Sequence, residues 1–161
     1  MPARTTAQSR EGVAPTLRSG GFAVAALRVI LAFSVLSTAA HYAHNFAEID
    51  SYPGGSDGQR VLIVLSWPVL TALGFCGYRF YAREDFWRAH ACLLIYSLTG
   101  LITPLHLVSG NPDIPAFFHA TIFTDFVAGV AVVGFVAWSA SRPDPRHSAL
   151  SPPRRSSTRL K

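Results

Sequence analysis

The chain of 161 residues is half hydrophobic and only 14% charged, whereas soluble domains carry about 25% charged residues. That excludes an ordinary soluble domain as the first reading and leaves a membrane protein, with the lipid bilayer as its main partner. The net charge of +5 would suggest nucleic acid on a soluble fold, but the basic residues crowd into the two ends and one connection, so no nucleic-acid partner is expected.

Residues 1–19 are Arg, Ser, Thr, Pro and Ala with little apolar content, which predicts a disordered basic tail. The first apolar run, about 22–46, exceeds the ~20 residues a helix needs to cross a bilayer core. It also exceeds the ~7–15-residue core of a signal peptide, which favours a membrane helix over a cleaved leader. The run ends in His41-Tyr42-Ala43-His44-Asn45-Phe46-Ala47-Glu48. Two histidines three residues apart share one helix face. Ser34, Ser37 and Thr38 continue that face, and Glu48 lies one turn further on. A polar stripe on an apolar helix points at something other than lipid.

Residues 50–59 are punctuated by Pro and Gly and predict a loop. The second run, about 61–80, contains Trp67-Pro68, where a kink is expected. It ends in Tyr78-Arg79-Phe80-Tyr81, an aromatic and basic set of the kind found where a helix leaves a membrane. Arg83-Glu84-Asp85 predicts a tight connection. The third run, about 86–108, carries Tyr96, Thr99, Thr103 and His106 at helical spacing, with Pro104 bending its last turns. A Pro-containing loop follows over 109–115. The fourth run, about 116–140, holds Thr121, Thr124 and Asp125. A carboxylate at mid-membrane costs about 2.5–3.5 kcal/mol on insertion scales, so it should face protein or water. Phe117, Phe118, Phe123, Phe126 and Phe135 concentrate in the same run and are expected to face lipid. Residues 141–161 predict a second disordered basic tail. Cys76 and Cys92 lie far apart inside apolar runs and read as small buried hydrophobes rather than a disulfide.

The expected fold is therefore all-α: an integral membrane four-helix bundle over 20–140 between two tails. Four crossings put both termini on one side with the 79–88 connection. Thirteen of the fourteen Lys and Arg lie there, Arg60 alone lying opposite. The positive-inside rule then predicts a multi-pass cell-membrane protein with both termini cytoplasmic.

The other end is acidic, and it gathers His41, His44, His106 and His119, because sequential helices of a bundle pack antiparallel. Helical bundles hold metals with His and carboxylate side chains from facing helices. The four histidines are thus candidate ligands for a transition metal such as copper, zinc or iron. Glu48 or Asp125 would serve as carboxylate ligand or as a hydrogen-bonding group that orients a histidine. Haem held by two of the histidines is a variant. His119 and Asp125 lie about 120° apart in projection, so both cannot point into one site. Two alternatives stand beside the metal reading. One is a small membrane enzyme in which His41, His44 and Asp125 do acid–base chemistry on a lipid-soluble substrate. The other is a non-enzymatic accessory subunit of a larger membrane complex. His90, at the cytoplasmic end, and His147, in the tail, fall outside the set.

Overall fold

The computed structural model describes residues 14–51, 56–105 and 116–142, without the side chains of 14–19 and 116. Four α-helices carry nearly all of it, and no strand occurs among the described residues: α1 (Ala14–Ala47), α2 (Asp57–Ala82), α3 (Phe86–Leu101) and α4 (Ala116–Ala140). A single 3-10 turn, Ile49–Ser51, follows α1. The expected disordered stretches 1–13 and 143–161, and the loop 109–115, lie outside the described residues.

The ends of the helices follow from local chemistry. α1 starts at Ala14, inside the segment expected as tail; Pro15 sits in its first turn, where a missing N–H costs nothing and the fixed φ suits a helix. α2 starts at Asp57, inside the expected loop. Ser56 caps it by accepting from the Gln59 N–H at 3.4 Å, the start of a capping box spelled Ser-x-x-Gln. α2 closes at Arg83, and Glu84 takes a left-handed φ of 60° to make the sharp connection into α3. α3 was expected to reach residue 108, but regular helix stops at Leu101. Pro104 disfavours helix in the residue before it, and Thr103 and Leu105 instead donate to the carbonyls three residues back. α4 matches its expected span.

Each helix packs on its chain neighbours, and α4 closes the ring onto α1; of these four seams, α1 against α2 is the lightest. Contacts set the directions. Arg28, in the first half of α1, meets Tyr78 near the end of α2. Thr38, late in α1, meets Asp125, early in α4. The ring is therefore up-down-up-down. Leu27, Leu93, Tyr96 and Val132 are fully buried along its axis.

The outer surface is apolar. Val61, Leu62, Leu65, Val69 and Phe75 of α2 are each more than half exposed, whereas monomeric soluble proteins rarely expose contiguous apolar patches of this kind. Three helices are long and apolar enough to cross a membrane: Gly20–Ala47 of α1, all of α2, and Phe117–Ala140 of α4. The phenylalanines of α4 divide. Phe117 and Phe123 face outward as expected, Phe135 is core, and Phe118 stacks on His44. Both cysteines are free, and Cys76 is exposed on α2 rather than buried. An apolar outer surface accommodates a thiol as well as a core does.

Candidate functional site

The polar stripe of α1 is buried against α4. Ser34, Ser37, Thr38, His41 and His44 all face inward, as their spacing predicts. The centre of the site is a bond between helices: the Thr38 hydroxyl donates to Oδ1 of Asp125 at 2.6 Å, and the Asp125 side chain has no solvent exposure. Its second oxygen, Oδ2, is buried with no hydrogen-bond partner among the described residues. The hydroxyl of Tyr96, from α3, faces Ser34 and Thr38 and lies within electrostatic reach of Asp125. Tyr42, beside Ser66 of α2, is within the same reach. All four helices thus present a hydroxyl or a carboxyl to one region.

The histidines lie outward from this pair. His41 Nε2 lies 3.0 Å from the Asn45 side-chain nitrogen, one turn on along α1. His44 stacks flat on Phe118, with ring centroids 3.4 Å apart, and Nδ1 meets the Thr121 hydroxyl at 3.4 Å. The two imidazoles stand edge to face at 6.4 Å. Thr121 and Asp125 are one turn apart on α4, so His44 and Thr38 grip the same face of that helix.

The remaining candidates do not join. His119 is exposed, as its angular offset from Asp125 requires. Glu48 sits in the turn after α1, where its carboxylate accepts from the Ser51 hydroxyl. His106 lies outside the described residues. Among the described residues no group of three or more His, Cys, Asp or Glu side chains is placed to hold a metal ion, so the metal expectation finds no support. His41 and His44, three residues apart on one helix, are not placed to take opposite faces of one haem; a pair that includes His106 lies outside the described residues. The Thr99 and Thr103 hydroxyls donate to carbonyls of α3, those of Tyr96 and Gly100, and Thr103 also reaches the Ile122 carbonyl of α4.

Two glycines absent from the expectation hold the site closed. A Cβ on Gly100 would overlap the carbonyl oxygen of Asp125, and one on Gly129 would come within 3.0 Å of the Leu101 nitrogen and the Ser97 oxygen. The backbones of α3 and α4 therefore touch at the level of Asp125. The signal was small residues at helical spacing on both partners, Ser97 and Gly100 against Gly129. The sequence matches no family model, and no curated protein or solved structure matches it.

Proposed function

We propose that this chain is a four-helix integral protein of the cell membrane, with both termini cytoplasmic, and that Asp125, His41 and His44 form an acid–base site for a lipid-soluble substrate. One observation carries the reading. The Asp125 carboxyl is wholly buried, held by Thr38 through Oδ1, and its Oδ2 has no hydrogen-bond partner among the described residues. A group serving only as glue between helices would have both oxygens satisfied, because an unmet acceptor is costly where water is excluded. An oxygen left open on a titratable group is where a proton or a substrate's hydrogen-bond donor would be received. Imidazole is the side chain whose charge changes nearest neutral pH. His41 and His44, one and two turns toward the outer end, supply a route by which the carboxyl recovers its proton after each exchange. Thr38 orients the carboxyl from α1.

The test uses the full-length protein in lipid nanodiscs. Infrared difference spectra across pH are expected to contain a carboxyl band that is absent in Asp125→Asn and shifted in His41→Ala. Turnover in a screen of lipid-soluble substrates should vanish in Asp125→Asn while expression persists. A carboxyl band indifferent to pH, with no turnover and co-purification of a larger complex, would replace this reading with the accessory subunit.

A further inference from the structure

The light seam between α1 and α2 leaves an open groove of about 480 Å³. Leu31, Val35 and Leu36 of α1 and Thr71, Gly74 and Phe75 of α2 line it, and Arg28 and Tyr78 stand at one end. Behind Gly74 the ring of Tyr96 packs 3.2–3.3 Å from where a Cβ would stand. Everything beyond the Arg28 end is apolar apart from the Thr71 hydroxyl.

Arg28 lies eight residues past Gly20, about 12 Å along the helix, inside the apolar span of α1. Among the described residues it has no carboxylate within ion-pair distance; the ion pairs there belong to Arg60 and Arg88. Arg28 donates instead from Nε and Nη2 to the Tyr78 hydroxyl at 3.2 and 2.7 Å, and its guanidinium carbon stands 5.7 Å from the centre of that ring. Tyr78 neutralises no charge. It does fix the guanidinium in place, and because its oxygen accepts from Arg28, its own O–H remains to donate. Side chains of a helix lean toward the N-terminus, so Arg28 snorkels toward the α1 start, the end assigned to the cytoplasm.

An uncompensated, oriented cation with a phenol donor at the mouth of an apolar groove has the chemistry of a lipid site. We propose that the groove holds one anionic phospholipid of the cytoplasmic leaflet, its acyl chain along Leu31, Val35 and Phe75 and its phosphate on Arg28 and Tyr78. Charge complementarity selects this occupant. A second copy of the chain would bring the same cation to the same seam, and a zwitterionic lipid would leave the positive charge of Arg28 uncancelled. The proposal rests on the membrane reading and is independent of the acid–base site.

Two measurements test it. Membranes carrying the full-length protein are first washed with alkaline carbonate; retention in the pellet tests the membrane reading alone, and release overturns both. The purified protein is then equilibrated with equal phosphatidylglycerol and phosphatidylcholine and examined by native mass spectrometry. The expected result is one phosphatidylglycerol retained per chain. Retention should fall about tenfold in Arg28→Gln, the loss of a charged hydrogen-bonded contact. It should also fall in Leu36→Trp, which fills the groove and keeps the charge. Val130→Trp, exposed on α4 and outside the groove lining, should retain lipid as the wild type does. Equal retention of the two lipids, unchanged retention in Arg28→Gln, or lipid-free dimers would overturn the proposal.

Discussion

Thr38 and Asp125 are 87 residues apart in sequence and 2.6 Å apart in space, and this pair concentrates the cost and the use of burying polar atoms. Removing the donor leaves the carboxyl with neither oxygen bonded. Thr38→Val, nearly isosteric, should therefore lower stability by about 1–2 kcal/mol, the range for hydrogen bonds between membrane helices. Thr38→Ser should be close to neutral, because the hydroxyl survives. Reversible unfolding in mixed micelles measures both, and equal stabilities of the valine and serine variants would show that the bond contributes nothing. Asp125→Asn should fold, since an amide oxygen accepts from Thr38 as well as a carboxylate does.

Among elements, the tightest contact joins α3 and α4, where glycine meets backbone. Added volume there has no flexible side chain to displace, so the helices must separate. Gly100→Ala should cost about 1–3 kcal/mol, as overpacking does. Gly134→Ala, on the same α4 but with nothing within 4 Å of its added Cβ, should be neutral or stabilising by up to about 1 kcal/mol through helix propensity. Thermal unfolding in detergent compares them, and similar melting temperatures would place the close crossing elsewhere. The helices themselves were legible from the apolar runs, because length and hydrophobicity are properties of a segment alone. Their ends were legible less often. Ser56 extends α2 backward through a cap, and the regular helix of α3 ends three residues before Pro104, both effects of single residues that an average over a run conceals.

At the scale of the whole molecule, the ring of four helices puts the start of α1, the end of α4 and the α2–α3 connection with Arg79 and Arg83 at one end. At the other end Arg60 is held by Asp50 at 2.6 Å and Asp57 at 3.5 Å, so its charge is paired. A reporter active only in the cytoplasm should work when fused after Lys161 and fail when inserted at Gly55. Activity at both positions would refute the topology. The site was legible to the extent that it lies on one helix face: the α1 stripe follows from a period of 3.6 residues. Which residues of other helices meet that stripe depends on rotation and crossing, and no single-helix pattern encodes those. Asp125 was singled out by its cost in lipid, while its partner Thr38 emerged only from the packing, and His119 turned outward.

The buried carboxyl also bears on how the molecule is made. Among the described helices, α4 is synthesised last. Five Phe, five Val and one Ile over 117–136 each favour insertion by about 0.3–0.6 kcal/mol, together as much as or more than the cost of one Asp. On the proposed membrane reading, that balance lets α4 enter the bilayer before Asp125 has met Thr38, with α1 already in place. Assembly is then a search by rotation and sliding, which ends when Asp125 finds Thr38. The pair at the centre of the proposed site thus sets the register of α1 against α4, and losing either side chain should slow maturation in the membrane even where the finished protein remains stable.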